Sequence, residues 1–148
     1  MEMSYGRFAG MIATSSVVMF GVMYLNTYTI DHATFSQTRL YMTLLMAATM
    51  AVVMLAFMLK MYKNKRANAA IFAGAVVVFA GALWLVRSQA TVGQVSWMRA
   101  MIPHHSIAIL TSERATITDP RVRALADGII EAQRREIAEM KALIEELE

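Results

Sequence analysis

Residues 40–59 read LYMTLLMAATMAVVMLAFML and carry no charged side chain. A hydrocarbon core about 30 Å thick is crossed by about 20 residues of helix, so this stretch is long enough to span a bilayer. Residues 8–30 and 67–86 are also free of charge. The sequence therefore predicts three transmembrane helices. A cleaved signal peptide is the competing reading of the first run, but that run is long, lacks a small-x-small cleavage pattern and is followed by two more. It is read as a retained span. Of the 148 residues 57% are apolar, and they concentrate in roughly the first ninety positions, which predicts a membrane domain at 1–88 and a small soluble domain at 89–148. With no cysteine, neither a disulfide framework nor a thiolate metal site is available.

Basic residues beside the spans set the orientation. Lys60, Lys63, Lys65 and Arg66 fill the connection between the second and third runs and Arg7 precedes the first, whereas Arg39 and Arg87 stand alone on the other side. Positive residues stay in the cytoplasm, which puts the amino terminus inside and the tail outside after three crossings. In a bacterium that places the protein in the inner membrane with its tail in the periplasm. The same distribution argues against nucleic-acid binding. The net charge is +3, but from Arg87 onward there are eight basic and nine acidic residues, so the excess is a topology signal and not a phosphate-binding patch.

The tail opens on Met98-Arg-Ala-Met-Ile-Pro-His-His105. At about 100° per residue Met98, Met101 and His105 fall on one helix face, and His104 lies one turn from Met101. Two thioethers and two imidazoles can then converge, a set suited to Cu(I) or another soft ion better than to magnesium, calcium or zinc. The other reading makes the methionines core filler and the histidines a cap on a turn at Pro103. Imidazole ligates a metal as the neutral ring, so such a site would weaken on acidification. Pro103 predicts a kink or helix start beside His104, and Gly93 a break before it. Asp119-Pro120 is a helix-start signature. From there Ala126, Ile130, Gln133, Ile137, Met140, Ile144 and Leu147 alternate spacings of four and three, a coiled-coil type of seam in a helix ending near Leu147. Arg123 with Asp127 and Glu131 with Arg135 are i, i+4 pairs on its exposed side.

The stretch Met101-Ile-Pro-His-His-Ser-Ile-Ala-Ile109, followed by Asp119–Ala126, Ile129–Gln133 and Glu136–Met140, resembles the DUF 305 family. That family has a helical, ferritin-like fold, and some of its members are periplasmic copper-binding proteins. The resemblance covers about the last third of the chain. It implies metal ligands at Met101, His104, His105 and Met140, with Met98 added. Where the family often has a further methionine after the histidine pair, this chain has Leu110 and Thr111.

The expected fold is all-α: three transmembrane helices and then a two-helix extracytoplasmic hairpin, half of a ferritin-like four-helix bundle. About 55 soluble residues bury little surface alone, which predicts a homo-oligomer, most simply a two-fold dimer. Met42, Met46, Met50, Met54 and Met58 recur at every fourth position of the second run. A Met-x-x-x-Met in the second of three spans is similar to copper permeases of the Ctr type, though the third run has Gly74 and Gly81 seven apart and not Gly-x-x-x-Gly. His32, in the outer loop with Asp31, would face the same side as the histidine pair.

An enzyme is not expected, because His-Glu-x-x-His, Gly-x-Ser-x-Gly, Glu-x-x-His and phosphate-cradling glycine motifs are all missing. The reading is a membrane-anchored periplasmic protein that binds Cu(I), or another soft metal, for copper homeostasis or tolerance. The alternatives are an oligomeric interaction protein without metal and a methionine-lined copper transport component. The partners expected are the lipid bilayer, a second copy and the metal ion.

Overall fold

The computed structural model describes residues 4–148. In chain order they form α1 (Tyr5–Val22), a 3-10 turn (Ile30–His32), α2 (Gln37–Phe57), α3 (Lys65–Ser88), α4 (Gln94–Arg114) and α5 (Pro120–Leu147). The fold is all-α, with no strand among the described residues.

Two of these helices, α2 and α3, are long and apolar enough to cross a membrane. The expectation of three spans is thus met in two of its runs, and the first charge-free run is helical over only part of its length. Its helix stops at Val22, and the backbone turns through residues 23–29. Beyond that end the Thr27 hydroxyl donates to the Tyr24 carbonyl at 3.0 Å and the Thr29 hydroxyl to Asp31 Oδ1 at 2.5 Å. The chain separates into two compact units. One runs up to Val22 and resumes at Thr38–Thr91; the other joins Met23–Gln37 to Val92–Glu148.

In the first unit Phe8, Leu55 and Tyr62 form a buried cluster, with Met11, Met54, Met58 and Phe72 packed around it. The Tyr62 ring lies 5.0 Å from that of Tyr5 and 5.5 Å from that of Phe8. A polar knot fixes this end. The Tyr5 hydroxyl donates to Asn68 Oδ1 at 2.9 Å, and Asn68 Nδ2 donates to the Tyr62 carbonyl at 2.7 Å. Asn64 caps α3, its side-chain oxygen accepting from the N–H groups of Arg66 and Ala67, so two of that helix's orphan donors are satisfied. The methionine ladder of α2 follows no single environment: Met42 and Met46 are exposed, and Met54 and Met58 pack against the cluster.

In the second unit α4 begins after Gly93 and α5 after Asp119, which accepts from the Arg121 N–H with Pro120 in the first turn. Met98, Ile102 and Ile109 of α4 meet Ile137, Met140 and Ile144 of α5 in one core. The predicted seam is present from Ala126 to Ile144, and Leu147 is exposed. Each fully buried isoleucine here is worth about 1.5–3 kcal/mol relative to exposure. The Arg123–Asp127 pair forms at 2.8 Å. Arg134 reaches across to Glu113 at 2.5 Å, and a Glu131–Arg135 pair is not among the ion pairs.

Pro103 is where the expectation of a helix start fails. It lies inside α4, and the helix runs through it. A proline cannot donate to the carbonyl four residues earlier, which here belongs to Arg99. The Thr34 hydroxyl supplies that missing donor, at 2.6 Å from the Arg99 oxygen. The segment Met23–Gln37 thus acts as a strap on the hairpin. Its other fastenings are the Tyr28 N–H donating to Ser106 Oγ at 2.5 Å, Ser96 Oγ donating to Gln37 Oε1 at 2.9 Å, Lys141 Nζ donating to Asp31 Oδ2 at 2.5 Å, and the Arg134 guanidinium 5.9 Å above the Tyr28 ring.

Candidate metal site

The predicted ligands do not share one environment. Met98 and Met140 are buried in the hairpin core at 5% and 7% exposure, and Met101 packs against that core from its edge. His104 is exposed, whereas the His105 side chain is only 14% exposed. Their ring centroids stand 6.2 Å apart with planes at 63°. The hairpin therefore turns His105, and not His104, towards α5.

His105 is held at both nitrogens. Nδ1 lies 3.0 Å from the Met101 carbonyl oxygen, and Nε2 lies 2.7 Å from Glu136 Oε2. A carbonyl can only accept, so Nδ1 carries a proton and donates. Both nitrogens then face acceptors, an arrangement that the doubly protonated ring fills at both ends and the Nδ1–H tautomer only at the carbonyl. Fixing Nδ1 on a backbone carbonyl is also the usual way that a metal-ligating histidine is oriented, with Nε2 left for the ion.

Glu136 is the residue that the motif reading missed as a member of this group. It sits one turn before Met140 on α5, as Met101 sits one turn before His105 on α4. By helix register the four positions mark a rectangle across the hairpin, thioether and imidazole on one helix, carboxylate and thioether on the other, with the His105–Glu136 contact as its one observed crossing edge. No three His, Asp or Glu side chains among the described residues are grouped so as to hold an ion, so any site here requires the sulfurs. Two thioethers with one imidazole suit a soft monovalent ion, and the neighbouring carboxylate suits the proton or charge exchanged on binding.

His32 reaches the neighbourhood through the strap. Its Nδ1 is 2.9 Å from Ser106 Oγ, next in sequence to His105. Ser106, His32 and Asp31 fall in a row, but they do not make an activated nucleophile. Ser106 has no exposed surface, and Asp31 Oδ2 is 4.0 Å from His32 Nε2, beyond hydrogen-bond reach. Burial of the ring lowers the His32 pKa, against the upward pull of Asp31. The unfolded chain therefore takes up this proton more readily than the folded one, and the strap's stability falls as pH drops through the ordinary histidine range towards the lowered folded value. Asp31, held at about 2 chiefly by its bonds from Lys141 and Thr29, keeps its ion pair to much lower pH. Amide hydrogen exchange in residues 23–37 is expected to quicken, relative to intrinsic rates, between pH 7.5 and 5, and His32→Asn to remove that dependence. Exchange that stays flat in the parent protein would refute the role given to His32.

Residues 86–148 match the family described as a domain of unknown function (DUF305). A protein of Acanthamoeba polyphaga mimivirus, described as uncharacterized, is 30% identical over 143 residues, covering 92% of each chain. The chain belongs to the DUF305 family. The match to the viral protein extends through the apolar helices as well as the DUF305 hairpin, so the two proteins share both parts. No solved structure matches the chain. The DUF305 region takes in α4 and α5 complete, with the four clustered side chains, but not the strap.

Proposed function

We propose that this is a membrane-anchored metal-binding protein whose hairpin, on the non-cytoplasmic face, takes Cu(I) or a similarly soft ion for copper homeostasis or tolerance. The observation that carries the reading is the His105 ring, fixed at Nδ1 by the Met101 carbonyl and presenting Nε2 across the hairpin to α5, on a helix pair whose core holds Met140 and has Met101 packed against it. Met101, His105 and Met140 would hold the ion. The thioethers supply soft, neutral donors that keep copper in its reduced state, and the imidazole supplies a stronger σ-donor. Uptake at Nε2 requires the His105–Glu136 contact to open, so Glu136 receives or passes on the displaced proton. Met98, deeper in the core, supports the packing of Met101 and Met140.

The topology completes the proposal. With α2 and α3 crossing as a pair and Lys60, Lys63, Lys65 and Arg66 at their cytoplasmic turn, the segments before α2 and after α3 emerge on the same side. The bonds between strap and hairpin support this arrangement. The 18 residues of α1 span about 27 Å as helix, close to the hydrocarbon thickness, and we assign it as a third crossing from a cytoplasmic amino terminus. On the outer unit Val122, Leu125 and Ile129 of α5 remain exposed, a second apolar stripe. A second copy packed on it would complete a four-helix bundle.

The test is a Cu(I) titration against a competing chelator on the detergent-solubilised protein and on His104→Ala/His105→Ala. Stoichiometric binding that the double variant loses is the expected result. Equal binding by the two proteins would move the hairpin to an assembly role without metal.

A further inference from the structure

The ion pairs of the protein are distributed unevenly. In the second unit Arg99, Arg121, Arg123, Arg134 and Lys141 each have a carboxylate partner. The first unit has no carboxylate side chain among its described residues, so none of these offers Lys60, Lys63 or Lys65 a counter-anion. These three lysines line one cleft of about 680 Å³ at the turn between α2 and α3, together with Leu59, Ala69 and Phe72. Tyr62 and Asn68 also line it. Both are tied by the polar knot, and the buried Tyr62 hydroxyl has no hydrogen-bond partner among the described residues, a spare donor beside the cations.

We infer that this cleft binds a phospholipid with an anionic headgroup, the lysines meeting the phosphate and the Leu59–Ala69–Phe72 wall meeting the start of the acyl chains. Two features favour a lipid over a free phosphate ion. The lining is amphipathic, cationic on one part and apolar on the other, which is the distribution of a lipid and not of an inorganic anion. The cleft also lies where α2 ends and α3 begins, the level at which a membrane presents headgroups to basic residues. The inference rests on the membrane reading of α2 and α3.

The experiment uses the full chain in mild detergent and measures apparent affinity for dioctanoyl phosphatidylglycerol, dioctanoyl phosphatidylcholine and inorganic phosphate, by thermal-shift titration. Phosphatidylglycerol is expected to bind, with the other two at least about tenfold weaker. The variant Lys60→Gln/Lys63→Gln/Lys65→Gln is expected to lose about a hundredfold, and the corresponding triple arginine variant to keep binding, which separates loss of charge from loss of fold. Equal binding of phosphatidylcholine would overturn the proposal, as would an unaltered glutamine variant. Inorganic phosphate matching phosphatidylglycerol would reassign the cleft to a phosphate ion and overturn the lipid. Alkaline extraction of membranes from expressing cells separates the two levels: release of the protein defeats the membrane reading and the lipid site with it, whereas retention without headgroup preference defeats the lipid site alone.

Discussion

His105→Ala is expected to weaken Cu(I) binding by at least about a hundredfold, and His104→Ala by less than about threefold. Loss of a residue that merely orients a ligand costs about 10–100-fold, so loss of the ligand itself should cost no less. The contrast between neighbours in sequence comes from the hairpin. His105 is oriented by the Met101 carbonyl and faces α5, while the His104 side chain is exposed. A companion substitution separates metal from packing. Met140→Leu conserves volume in the core and should cost under about 1.5 kcal/mol of stability, yet it removes a sulfur. Chelator-competition titrations of the three variants read the result. If His104→Ala and His105→Ala are equally damaging, the ion sits outside the hairpin groove and the rectangle of Met101, His105, Glu136 and Met140 is not the site.

Ile102→Ala should unfold much of the second unit. Its side chain has no exposed surface and joins Met98, Ile109, Ile137, Met140 and Ile144 in the one core that this unit has. Removing three methylene-sized groups from such a position costs about 2–5 kcal/mol through lost transfer energy and the cavity left behind, a large share of the stability of a small domain. Hydrogen exchange on the full chain should show α4, α5 and the strap losing protection together, with α2 and α3 unchanged. Protection lost in α4 alone would mean that the hairpin and strap do not fold as one unit. The same substitution at an exposed apolar site, Leu125→Ala, should leave protection of an isolated protomer close to that of the parent.

Much of the fold is legible in the order of residues. The charge-free runs at 40–59 and 67–86 specify α2 and α3; Asp119-Pro120 and a four-three seam specify α5. These signals are local, because a helix repeats every 3.6 residues and its caps act within one turn. The end of α1 was not legible in this way: residues 8–30 all lack charge, but the helix ends at Val22 within that run. At the candidate site Met101, His105 and Met140 are motif positions, whereas the different exposure of His104 and His105 and the approach of Glu136 leave no mark in the spacing.

The sequence alone determined that the chain is helical, that its runs at 40–59 and 67–86 are apolar enough for a bilayer, and that soft donors gather in the DUF305 stretch. Tertiary structure decided the rest. It set His105 apart from His104, brought Glu136 to within 2.7 Å of the ring from 31 residues away, and let α4 continue through Pro103 by lending the Arg99 carbonyl a hydroxyl from Thr34, 65 residues earlier. A hydrogen bond between distant segments leaves no period in the sequence on either side. Its partners become visible only once the chain has folded and the unpaired groups that burial makes costly have found each other.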